Sequence, residues 1–223
     1  MLKHLILILI AFSFVQCGKI TSKFNKNDAK IDSLRATLKN NQDDTTAIVE
    51  LGRILQFNGH IKEAIDLLKD AEAKFPGNAK IAIWHANAES IMAGASKDIQ
   101  EKVKWSQYAL ADLDATVQKY NNNWYVHYMR GVNSMNWPDM FHRKLVAIED
   151  FEFLLNYNKN NPCKISPKYL EKVHFYLGYA YYKTNQGSDK YLPQFEYIKK
   201  NFPHSQFIGT INKIINNSVP KGK

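Results

Sequence analysis

The chain has 223 residues, of which 45% are hydrophobic, 13% aromatic and 23% charged, with a net charge of +9. That hydrophobic share is enough to bury a sizeable core and excludes an intrinsically disordered chain. Ten Gly and seven Pro are too few for a sandwich or barrel of many tight turns, and two Cys exclude a disulfide-dense scaffold. Only four of the 30 basic residues are Arg (Arg35, Arg53, Arg130, Arg143). Arg does most base-edge and bidentate phosphate work, so the Lys-dominated charge reads as a solvated surface, and no nucleic-acid partner is expected.

The chain opens with Met1-Leu2-Lys3-His4, then an apolar run from Leu5 to Val15, then Gln16-Cys17-Gly18-Lys19. A basic start and 11 mostly apolar residues fit a secretory signal better than a spanning helix, which needs nearer 20 residues. Because the run ends in a cysteine, the segment resembles a bacterial lipoprotein signal. The resemblance implies that residues 1–16 are a signal peptide and that Cys17 is lipidated. The chain would then be anchored to a membrane of the bacterial envelope, facing the periplasm. Residues 17–27 are polar and lack periodicity, which predicts a lipidated tether. Cys163 is then left without a partner, in the loop sequence Asn161-Pro162-Cys163-Lys164.

From Thr45 the chain reads TTAIVELGRILQFNGHIKEAIDLLKDAEAKFPGNA. Leu51-Gly52 and Leu55 form the bulky–small stripe of a first helix, and Gly59 marks a turn. Ala64, Leu68 and Ala71 form the stripe of a second helix, closed by Pro76. This pattern resembles a tetratricopeptide repeat, and it recurs more loosely three times. The second copy has Ala86, then Ala109, Leu113 and Thr116, with about eleven extra residues around Gly94 to Val103 that lengthen the turn or extend the second helix. The third has Arg130-Gly131, then Ala147, Phe151 and Leu154, with about four extra residues at Asn136 to Asp139. The fourth has Leu177-Gly178 and Tyr181, then Phe195, Ile198 and Pro203, and Tyr191 replaces the usual Ala. The repeats span about residues 45–78, 79–123, 124–161 and 167–203. Ile31, Leu34 and Leu38 before them, and Phe207, Ile208, Ile211, Ile214 and Ile215 after them, have helical spacing and predict capping helices. The expected fold is an all-α solenoid of antiparallel helix pairs over residues 28–218, about four repeats plus caps, with a tail at 219–223.

The resemblance also implies partners, since in many such repeats an Arg just before the first-helix Gly accompanies an Asp just before the second-helix aromatic. Arg130, just before the first-helix Gly131, matches Asp150, just before the second-helix Phe151; one repeat earlier His85 occupies the same site and matches Asp112. Both pairs are expected to be structural, since a buried charge needs a partner. No nucleophile elbow accompanies His85 and Asp112, no two His are spaced i,i+3 or i,i+4, and no phosphate, dinucleotide or calcium loop is present. Neither a catalytic site, a metal nor a cofactor is expected.

In tetratricopeptide arrays the first helices line a concave groove for peptides. Carried over residue by residue, the resemblance places Arg53, Asn87, Tyr125, Tyr128, Met135, Phe175, Tyr179 and Tyr182 in that groove. Apolar residues stand where a carboxylate clamp would need Lys and Asn, so a protein partner of the envelope that offers an apolar peptide, helix or loop is the expected ligand. The other reading is a small molecule held among Tyr125, Tyr128 and Phe175, in an accessory lipoprotein of a transport system.

Overall fold

A computed structural model describes residues 21–218. Ten α-helices follow one another: α1 (Thr21–Asn40), α2 (Thr45–Phe57), α3 (Ile61–Lys74), α4 (Ala79–Ala95), α5 (Ile99–Lys119), α6 (Trp124–Ser134), α7 (Arg143–Asn160), α8 (Pro167–Lys183), α9 (Ser188–Asn201) and α10 (Ile208–Ser218), with one 3-10 turn at Asp139–Phe141. They form an all-α solenoid of antiparallel pairs, α2/α3, α4/α5, α6/α7 and α8/α9, with α1 and α10 at its ends.

Short polar turns set the helix starts. Asp44 accepts from the backbone N–H of Thr46 and Ala47, Asn78 from Lys80 and Ile81, and Asn123 from Tyr125, so three successive first helices begin on a side-chain cap. The helix α8 instead starts with Pro167 in its first turn, where a missing N–H costs nothing. Close packing comes from glycine in three of the four pairs, the buried Ala86 taking that place in α4. A Cβ placed on Gly52 would lie 2.8 Å from Leu68, one on Gly131 2.9 Å from Phe151, and one on Gly178 2.6 Å from Phe195. Those three large side chains are fully buried, each seated against the bare backbone of its partner helix.

The buried apolar residues form two main bodies. One joins α1 to α5 through Ile31, Leu55, Leu68, Ile81 and Leu113; the other joins α6 to α10 through Phe151, Leu177, Phe195, Ile198 and Ile211. Both expected caps are present, Ile31 and Leu34 of α1 and Ile211 and Ile214 of α10 all being buried.

One boundary differs from the sequence reading, and one of its open alternatives is decided. The segment read as a tether ends in helix, since α1 begins at Thr21; residues 17–20 and Cys17 itself lie outside the described residues. The extra residues of the second copy extend both helices rather than the turn, giving 17 residues in α4 and 21 in α5. The turns inside the pairs lie on one rim of the solenoid, and those between pairs on the other. Because α1 runs antiparallel to α2, its Thr21 end lies on the rim of the within-pair turns.

Candidate binding groove

The first helices α2, α4, α6 and α8 present one face, and the eight residues expected to line a groove lie on them or, for Met135, just past the end of α6. They do not form one open surface. Tyr128 and Phe175 are buried, 6% and 8% exposed, and so belong to the core. Tyr128 meets the ring of Tyr169 edge-on at 4.8 Å, and Phe175 stacks on Phe207 at 3.9 Å with the rings 10° apart. Helical register set both on the first-helix face but says nothing of what covers them. Tyr169 comes from the first turn of α8 and Phe207 from the approach to α10. Tyr125 also lies edge-on to Tyr169 at 6.5 Å, so Tyr125, Tyr128 and Phe175 each pack on a ring of the fold. A depression of about 600 Å³ lies elsewhere, along Phe75 to Lys80 and Asn123 at the rim of the between-pair turns.

Six of the eight remain half-buried: Arg53, Asn87, Tyr125, Met135, Tyr179 and Tyr182. Arg53 is held by its neighbour one turn earlier, its Nε and Nη2 donating to Glu50 at 2.8 and 2.7 Å. Asn87 is part of a polar ladder that crosses three first helices. Its Nδ2 donates to Gln56 Oε1 at 2.7 Å, and its Oδ1 accepts from Asn133 Nδ2 at 3.1 Å. Asn133 Oδ1 in turn accepts from Ser90 Oγ and Trp137 Nε1, at 3.1 and 2.8 Å. Gln56 and Asn133 are buried, so these amides satisfy one another rather than wait for a ligand. The sites left accessible are therefore aromatic and thioether groups towards the C-terminal half, Tyr125, Met135, Tyr179 and Tyr182, with Arg53 as the charged group.

Arg130 and Asp150 meet as the register required: Nε and Nη2 both donate to the Asp150 carboxylate at 2.9 Å. Arg130 Nη1 also reaches Asp114 of α5 at 3.1 Å, and Arg143 clamps the same Asp114 with two bonds of 2.7 and 2.8 Å. Burial pushes the Asp114 carboxyl up, but the two guanidiniums outweigh it and hold the group below its usual value.

His85 does not pair with Asp112. Its Nδ1 lies 2.9 Å from Glu72 of the preceding pair, and Glu89 one turn along stands 3.9 Å from its Nε2. Asp112 acts chiefly on Glu89, which is buried. Burial first, and the Asp112 carboxylate second, push Glu89 up to about 7. Burial pulls His85 down, but the hydrogen bond to Glu72 and the surrounding carboxylates outweigh it and raise the imidazole.

Two further histidines escaped the sequence reading. His127 Nδ1 lies 2.7 Å from Asp150 and its ring stacks on Phe153 at 3.8 Å; His174 Nδ1 lies 2.8 Å from Gln194 and its ring stacks on Tyr197 at 3.7 Å. The signal was available: HYMRG at 127–131 and HFYLG at 174–178 answer DFEF at 150–153 and QFEY at 194–197. Among the described residues no group of three or more His, Cys, Asp or Glu is placed to hold a metal ion.

The chain superposes on a thermophilic TPR protein of Thermus thermophilus with a TM-score of 0.67, over 88% of this chain and 94% of that one, at 16% identity. A tetratricopeptide repeat protein from Parabacteroides merdae gives a TM-score of 0.52 over 87% of this chain and 69% of that one, also at 16% identity. No family model matches the sequence, and no curated protein matches it. At these identities the likeness is one of fold, a tetratricopeptide-like solenoid.

Proposed function

We propose that the chain is a non-catalytic scaffold of the bacterial envelope, attached to a membrane through Cys17, that binds a protein or peptide on the first-helix face of its C-terminal half. The observation that carries the binding site is the row of Tyr125, Met135, Tyr179 and Tyr182. They stay half-exposed on that face, whereas the polar groups beside them are used up within the fold. Aromatic side chains offer large contact area at small entropic cost and dominate many interfaces. The attachment reading is supported by the basic start, apolar run and cysteine at residues 1–17.

Two measurements test the two halves of this proposal. Labelled palmitate should be incorporated into the wild-type chain and not into Cys17→Ala; equal incorporation into both rejects lipidation at Cys17. For the groove, affinity for a copurified partner is measured at low and high salt. Apolar anchoring keeps most of the affinity at high salt, because screening weakens exposed charges and leaves apolar burial intact. Tyr179→Ala/Tyr182→Ala should weaken binding at least about tenfold, and Lys199→Ala/Lys200→Ala should leave it unchanged. The reverse pattern transfers the site to the Lys-rich exterior.

A further inference from the structure

The two insertions that distinguish this solenoid from a regular array end on the same rim. Measured from the packing positions, α4 runs nine residues beyond Ala86 where α2 runs five beyond Gly52. In the same way α5 starts ten residues before Ala109 where α3 starts three before Ala64. The α4/α5 pair therefore projects by about 6–10 Å past its neighbour on the rim of the within-pair turns. The second insertion, between α6 and α7, lies on that rim one repeat later. Trp137 fastens the two together, packing on Ala93 and Ala109 and meeting Phe141 edge-on at 5.3 Å.

This rim also carries most of the large apolar side chains left in solvent. Ile99 and Met140 are each 76% exposed, and Phe57, Val103, Phe141 and Leu145 between 38% and 64%. Among the described residues, the between-pair turns at 41–44, 75–78, 120–123 and 161–166 on the opposite rim expose none. The chain reaches the solenoid from the apolar side as well. The 20 residues of α1 against 13 in α2 carry its Thr21 end about 10 Å past α2 on the insertion rim. Cys17 precedes Thr21 by four residues, a reach of about 14 Å at full extension.

We infer that the insertion rim rests on the lipid bilayer to which the N-terminal segment attaches, with Ile99, Val103, Met140, Phe141 and Leu145 entering the interfacial layer. The inference rests on the membrane attachment proposed above and adds an orientation: the solenoid stands on its insertions. A short link from the anchor and an apolar edge on the same rim act together, since one weak membrane signal seldom holds a protein and two do. Charge contributes little, because Lys97, Lys102, Lys104 and Lys144 are interleaved with Asp98, Glu101 and Asp139. The contact is therefore apolar and insensitive to salt.

The test uses the full chain, purified from bacterial membranes in a Cys163→Ser background and reconstituted into phosphatidylcholine vesicles containing a bromine-labelled lipid. A fluorescent thiol label is placed through Met140→Cys on the insertion rim or through Gly77→Cys on the opposite rim. The version with neither introduced thiol measures any label on Cys17. The expected result is co-flotation with the vesicles and quenching by about half at Met140→Cys against less than about a tenth at Gly77→Cys, unchanged by high salt. Adding Ile99→Asp/Val103→Asp should cut the quenching at least about twofold while the chain still floats. A chain that floats but is quenched equally at both positions overturns this inference and leaves the attachment standing. Failure to float overturns both. Shielding of the Met140→Cys label by added protein, without bromine quenching, assigns the rim to a protein contact instead and also overturns the inference.

Discussion

Glu89 is buried beside His85, with Glu72 and Asp112 half-buried around them, and its Oε2 has no hydrogen-bond partner. An unfolded glutamate titrates near 4.5, and in the fold burial and Asp112 raise Glu89 to about 7. Between those values the folded chain keeps a proton that the unfolded chain has lost, so stability falls as pH rises through that window and is flat in this group above it. His85, also raised, acts in the same sense: its contribution is complete below 6.5 and disappears as pH climbs through its folded value. His174 acts the opposite way. Burial lowers it against the pull of Gln194, and its contribution is present above 6.5 and lost as pH falls. Glu89→Gln should flatten the decline between pH 5 and 7 and raise stability at pH 8 by about 1–3 kcal/mol, read from urea denaturation at each pH. Asp150 is a different case, since its side chain is fully buried between Arg130 and His127. Asp150→Ala takes the acceptor from His127 Nδ1 and from Arg130 Nε and Nη2, leaving the guanidinium only its bond to Asp114, and the same denaturation experiment should show a loss of about 3–5 kcal/mol. The first of the two pairs expected from the sequence was legible because Arg130 and Asp150 belong to one helix pair and repeat register compares positions within a pair. His85 turned instead to Glu72, in the second helix of the preceding repeat, a relation that within-pair register does not score.

At the scale of the helices, the glycines show why the repeats could be read. Gly131 sits mid-helix, where glycine is ordinarily unfavourable by about 1 kcal/mol relative to alanine. A methyl there would lie 2.9 Å from Phe151 and 3.2 Å from the Asp150 Cβ, and both neighbours are buried. Gly94, near the end of α4, has nothing within 4 Å of its missing methyl. Gly131→Ala should therefore destabilise by about 1–3 kcal/mol, the overpacking outweighing the gain in helix propensity. Gly94→Ala should instead stabilise by about 0.5–1 kcal/mol. Thermal melts of the two variants check both signs. Such small–large pairing leaves a trace at fixed spacing, which is why degenerate copies remained recognisable. The insertions left no comparable trace. Whether the extra residues around Gly94 to Val103 lengthened the turn or the second helix depended on the capping of α5 by Asp98, which lends no periodicity to the sequence. Nor did the helical spacing of Tyr128 and Phe175 reveal that Tyr169 and Phe207 would close over them.

For the whole molecule, the question is whether two apolar bodies behave as one. In a repeat array, stability is close to a sum of unit terms and nearest-neighbour interfaces, so the weakest interface decides where cooperativity breaks. Here the bodies meet between the second and third repeats, where Val126 of α6 joins the N-terminal core and Met129 packs against both. Polar contacts carry much of the joint. Asp114 of α5 binds Arg130 of α6 and Arg143 of α7, and Asn87 of α4 bonds Asn133 of α6. Asp114 is half-exposed, while Arg143 is 8% exposed and its Nε already lacks a partner, so removing the carboxylate leaves a buried cation with little to satisfy it. Asp114→Ala strikes this joint without touching the side chains of either core. The expected outcome is a urea transition that splits in two, each part with about half the wild-type m-value, because each then exposes only its own body. Hydrogen exchange should show protection lost separately on the two sides of α6. A single transition, shifted in midpoint with its slope unchanged, would mean that Val126, Met129 and the asparagine ladder suffice to couple the halves.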